Sequence, residues 1–110
     1  MQKWLVGVSL LAMTAEAKAF SPQQEQFLDQ VAEAYVISDV CESLGFQTEA
    51  LAVALRWNRL EGPAAVEEIR KRSAGDRWGI RQNRPDMACV LGEMYYGKQG
   101  TKRQGLLHPK

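Results

Sequence analysis

An all-α fold, a three- or four-helix bundle stapled by one disulfide, is what this 110-residue chain predicts for its folded part. Three observations lead there. Apolar residues recur at helical spacing in four segments, each bounded by proline, glycine or a capping residue. No segment shows the strict alternation of a strand. Only two cysteines, Cys41 and Cys89, are present, and they sit far enough apart in sequence to join two different helices.

The first nineteen residues read as an export signal that is removed. Met1-Gln2-Lys3 is a short positive stretch, Trp4 to Met13 is an apolar run interrupted only by Gly7 and Ser9, and Ala17-Lys18-Ala19 ends a small-residue segment with the small-x-small pattern of a signal-peptidase site. The apolar run is half of the roughly 20 residues needed to cross a bilayer, so no transmembrane segment is expected after cleavage. No cysteine stands at the cleavage point, which disfavours a lipid anchor. The expected location is the periplasm of a bacterium or the exterior, where a Cys41–Cys89 disulfide forms readily. The chain-entropy model gives a loop of that length about 4 kcal/mol.

The expected organisation is therefore a signal peptide over 1–19, a helical domain over 20–97 and a flexible basic tail over 98–110. Ser21-Pro22 with Gln24 supplies an N-cap, a proline at the first helical position and a capping-box partner. The first helix is predicted to run to about Leu44, with Gly45 as a left-handed C-cap and Ile37, Val40, Cys41 and Leu44 as one stripe. Thr48 is expected to cap a second helix ending near Glu61. Its two apolar faces, Leu51 with Leu55 and Val53 with Trp57 and Leu60, predict a central position. Pro63 opens a third helix that stops near Ala74, with Ala65, Val66 and Ile69 inward and pairs Glu67–Lys71 and Glu68–Arg72 outward. Residues 76–84 have no period and read as a loop. Pro85 opens a fourth helix ending at Tyr96, with Met87, Val90, Leu91, Met94 and Tyr95 as its inner stripe and Cys89 on its flank.

Charge is distributed unevenly. Residues 20–55 hold six acids and no lysine or arginine, whereas residues 56–110 hold six acids and all 12 basic groups of the exported chain, so the halves carry −6 and +6. Arg70, Lys71, Arg72, Arg77, Arg81 and Arg84 crowd into fifteen residues around Trp78. Tryptophan beside arginine combines contact area with forked donors and is the composition of interface hot spots. Arg70, Arg77, Trp78, Arg81 and Arg84 are accordingly the candidate binding residues. The competing reading makes Trp78 a core plug and the arginines partners of the acidic first helix.

Catalytic chemistry finds little support. The one histidine, His108, stands three residues from the end, no cofactor or metal motif is present, and paired cysteines are not nucleophiles. The best enzyme candidate is a lone general acid, Glu42 or Glu93, of the kind used to cut peptidoglycan. Export and zero net charge disfavour nucleic acid as a partner. The expected function is a non-enzymatic protein-binding module of the inhibitor, immunity or accessory type, acting on another protein or an anionic envelope component. Monomer and homodimer both remain open.

Two resemblances bear on that expectation. The separation of Cys41 from Cys89, with Glu42 directly after the first cysteine, is similar to that of the HdeA-type acid-stress chaperones. The likeness implies a small helical periplasmic protein whose dimer comes apart in acid to expose apolar surface for clients. Cys89 followed by Met94-Tyr95 resembles small helical immunity proteins of the periplasm, which bind and block peptidoglycan-cleaving toxins. An envelope-associated structural role is a further alternative.

Overall fold

The computed structural model describes residues 20–75 and 77–110. The expected signal peptide lies outside them. The described chain is mostly helical: α1 Pro22–Val40, α2 Thr48–Trp57, α3 Pro63–Ala74 and α4 Pro85–Tyr96, with a short 3₁₀ turn at Ile80–Gln82. Two strands, β1 Leu44–Phe46 and β2 Leu107–Pro109, were not anticipated.

Helix α1 is the hub. It starts with the expected capping box: the Gln24 backbone N–H donates to Ser21 Oγ at 3.1 Å, and the Ser21 N–H donates to Gln24 Oε1 at 2.9 Å. Phe27, Leu28, Val31, Ala34, Val36 and Ile37 are almost fully buried, and so are the polar Gln30 and Glu33. Burial on nearly every side means that α3, α4, β1 and the 3₁₀ turn all lie against it. The central helix is thus α1, whereas α2 has no buried residue, its Val53 and Trp57 facing outward. Amphipathic spacing identifies apolar faces without showing whether anything covers them.

Helix α1 ends at Val40, four residues before the expected end. Cys41 takes an extended conformation (φ −97°, ψ 104°) and its sulfur bonds Cys89, with the two Cα atoms 5.1 Å apart. Leu44 is buried as the helical stripe predicts, but from a strand. Gly45 sits in that strand and is no left-handed cap. Helix α2 likewise ends early, at Trp57, and its N-cap is Gln47, not Thr48.

Helix α4 keeps only part of the expected face, with Leu91 and Tyr95 packed against the core. Ala88, Gly92 and Tyr96 are buried, while Met87, Val90 and Met94 are about half exposed. The reason is proximity: a Cβ built on Gly92 would come within 2.5 Å of Leu44 Cδ1 and 2.8 Å of Ile37 Cγ2. Only the smallest residue lets α4 approach α1 so closely. In α3, Ala65 is buried and Ile69 half-buried as expected, but Val66 is 60% exposed.

The expected flexible tail is instead packed. Thr101, Lys102 and Arg103 donate backbone N–H groups to the carbonyls of Met94 and Tyr95 at 2.9–3.0 Å, capping the end of α4. Leu106 and Leu107 are buried, and β2 pairs antiparallel with β1 in the register Phe46 with Leu107 and Leu44 with Pro109. The polar composition of 98–110 hid one apolar pair, Leu106 and Leu107, that is buried in the core. Lys102 Nζ donates to Glu33 Oε1 at 2.7 Å and lies 4.2 Å from the Tyr95 ring centre, and Arg103 Nε donates to Gln30 Oε1 at 2.8 Å.

Beneath this strap the Tyr96 hydroxyl donates to Glu33 Oε1 at 2.5 Å. Burial first, then the hydrogen bond to Glu33 and the charge of that carboxylate, raise the Tyr96 pKa well above the ordinary 10.0. A raised folded-state pKa contributes stability that is present below the unfolded value and lost as pH climbs past about 10. The stability difference between wild type and Tyr96→Phe should therefore shrink by about 1.4 kcal/mol between pH 8 and pH 11. Urea midpoints at the two pH values measure this, and an unchanged difference would refute it.

Candidate recognition surface

The arginine segment folds inward onto the acidic helix. Arg72, only 11% exposed in its side chain, reaches three carboxylates: Glu25 at 2.5 Å, Asp29 at 3.1 Å and Glu68 at 3.1 Å. Burial alone would lower its pKa, but the hydrogen bonds to Glu25 and Glu68 and the charges of Glu25 and Asp29 raise it. Arg77 pairs with Asp29 at 2.9 Å, and Arg81 with Asp39 at 2.9 Å while also donating to the Ser73 carbonyl at 3.0 Å. Four of the six acids of residues 20–55 (Glu25, Asp29, Glu33 and Asp39) thus meet bases from the other half. Part of the charge asymmetry is paired within the molecule.

The five expected site residues do not form one open patch. Arg70 is held by Glu67 and Arg84 by Asp86, each locally. Trp78 is half-buried and packs against the core, with the Arg77 guanidinium 5.5 Å from its ring centre. It edges a hollow of about 260 Å³ lined by Asp29, Glu33 and Lys102. The geometry is that of the competing reading: a tryptophan at the edge of the core and arginines paired with α1. The expected i,i+4 pair Glu67–Lys71 is replaced by Glu67–Arg70 and Lys71–Glu68, whereas Glu68–Arg72 forms.

A different tryptophan is open. Trp57, at the end of α2, is 80% exposed, the most exposed large apolar side chain among the described residues. On one side lies a cleft of about 450 Å³ between α2 and the tail, lined by Ala50, Val53, Ala54 and Leu106 with Glu49 and Arg103 at its margins. On the other sides Trp57 edges two hollows that share Arg59. The packed tail builds the far wall of the cleft, and Gln24 Nε2, donating to the Asn58 carbonyl at 2.9 Å, ties the end of α2 to the start of α1. The combination sought at Trp78, tryptophan next to arginine on a rigid scaffold, therefore occurs at Arg56-Trp57-Asn58-Arg59. The signal available in the sequence was the arginines flanking Trp57 within a helix already supplied with an inner face by Leu51 and Leu55.

Among the described residues no helix is long and apolar enough to cross a membrane, and no three or more histidine, cysteine, aspartate or glutamate side chains cluster to hold a metal. No protein-family model, curated protein or solved structure matches the chain.

Proposed function

We propose that the chain is an exported, periplasmic, non-enzymatic protein-binding module of the inhibitor, immunity or accessory type, and that its partner docks on Trp57. One observation carries this reading. Trp57 is left 80% exposed beside an apolar cleft of about 450 Å³, on a scaffold cross-linked by a disulfide. Exposed aromatic anchors next to apolar clefts concentrate binding energy because the partner desolvates both at once. The disulfide is compatible with an oxidising compartment.

The test replaces residues 53, 78 and 98 singly with a photo-crosslinking amino acid in the cells that make the protein, residue 53 lining the cleft beside Trp57. One partner should cross-link from 53 and not from 98, and at most weakly from 78. Trp57→Ala should keep its stability within about 1 kcal/mol and lose affinity for that partner about 30-fold, a hot-spot loss near 2 kcal/mol. Equal binding by Trp57→Ala would end the assignment. Cross-linking to many unrelated proteins, only after acidification, would favour the acid-stress chaperone reading instead.

A further inference from the structure

Helix α2 closes in a wrap that normally requires glycine. The Leu60 N–H donates to the Leu55 carbonyl at 2.8 Å and the Arg59 N–H to the Arg56 carbonyl at 3.1 Å, while Leu60 folds back into the core. This is the Schellman pattern, with its left-handed position at Arg59 (φ +57°). Among the described residues Arg59 is the one non-glycine residue with positive φ. An arginine there is strained where glycine would not be.

The Arg59 side chain does nothing visible for the fold in return. It is exposed and has no ion pair or side-chain hydrogen bond among the described residues, whereas Arg70, Arg72, Arg77, Arg81 and Arg84 each hold a carboxylate. Its neighbour Arg56 has only a long contact to Glu61 at 3.4 Å, both side chains being about two-thirds exposed. The two hollows beside Trp57, about 440 and 310 Å³, are lined by Arg59 with Val53 and Arg56 on one side and with Ser21 and Asn58 on the other. No acidic residue lines either.

We infer that Trp57 and Arg59 together read an acidic peptide segment of the partner protein, an apolar side chain resting on Trp57 and an Asp or Glu side chain on the Arg59 guanidinium. Charge complementarity sets the occupant: forked donors free of internal carboxylates match a carboxylate bidentately, and the indole beside them supplies the apolar half. The inference rests on the protein-binding reading above and adds the partner's chemistry.

The probe is a display library of random 12-residue peptides, selected on the purified exported protein and then titrated as labelled peptides by fluorescence polarisation. Enriched peptides should carry an Asp or Glu within three residues of an aromatic or aliphatic residue. Arg59→Gly and Arg59→Gln should bind them at least 10-fold more weakly, Arg59→Lys should retain part of the affinity, and Trp57→Ala should abolish binding. Arg59→Gly should also melt about 4 °C higher, since it removes the strain of the cap, so its lost binding cannot be lost folding. Peptides that need Trp57 but bind Arg59→Gly as well as wild type would overturn this inference and leave the protein-binding reading standing. Failure to enrich any peptide dependent on Trp57 would overturn both. Arg59-dependent binding to phosphatidylglycerol vesicles without acidic peptides would replace the partner by a lipid surface.

Discussion

Reduction of the Cys41–Cys89 disulfide is expected to lower the free energy of unfolding by about 4 kcal/mol, a large fraction of what a domain of this size has. The bond spans 48 positions, so the loop it closes contains β1, α2, α3 and the 3₁₀ turn. In the unfolded chain that loop forbids most of the conformations otherwise open to it. In the native state the cross-link joins the end of α1 to α4 three residues before Gly92, where a Cβ would collide with Ile37 of α1. Cys41 is fully buried, so Cys41→Ser with Cys89→Ser should reproduce the loss and add the cost of placing a hydroxyl there. Urea unfolding with and without reductant measures the difference. A change under 1 kcal/mol, or titratable thiols in the oxidised native protein, would remove the staple from the account of stability.

What the sequence made legible follows from how local each signal is. The start of α1 and both ends of α3 and α4 were readable because Ser21-Pro22, Pro63, Gly75, Pro85 and Gly97 act on their immediate neighbours. The end of α1 was not. Ile37, Cys41 and Leu44 are all buried, so their spacing looked helical, yet the last lies on a strand whose partner is more than sixty residues away. A three-residue strand carries no alternation to detect. The inner face of α4 was legible only in part: Leu91 and Tyr95 pack on the core as their spacing predicts, but a close helix contact also selects alanine and glycine, which advertise no stripe. At the candidate site, the composition drew attention to Trp78, which is half-buried against the core, while the more exposed tryptophan beside arginines is Trp57. Helix α1 supplies carboxylates to Arg72, Arg77 and Arg81, a pairing that the opposite charges of the two halves made legible without showing which residues meet.

Glu33→Ala is expected to cost about 1–3 kcal/mol and to release the C-terminal strap, because it takes one buried carboxylate away from two partners and leaves the Tyr96 hydroxyl a buried, unpaired donor. Glu33 is 5% exposed and accepts from Tyr96 at 2.5 Å and from Lys102 at 2.7 Å. Without it the Tyr96 hydroxyl, fully buried, has no acceptor, and leaving such a donor unpaired is more costly than the pair was stabilising. The two partners should not count equally. Lys102 is 37% exposed in its side chain and can turn to water, so its pairing is screened, whereas Tyr96 cannot. A double-mutant cycle of Glu33→Ala with Tyr96→Phe should accordingly show coupling above 1 kcal/mol, and the cycle with Lys102→Met less than that. Glu33→Gln, which keeps an acceptor for Tyr96, should recover much of the loss. The strap also forms the far wall of the Trp57 cleft through Arg103 and Leu106, so its release should be visible as faster amide exchange over residues 98–107 and as weaker binding at Trp57. A Glu33→Ala protein that loses less than 1 kcal/mol, with exchange in the tail unchanged, would show that Leu106 and Leu107 hold the strap by themselves.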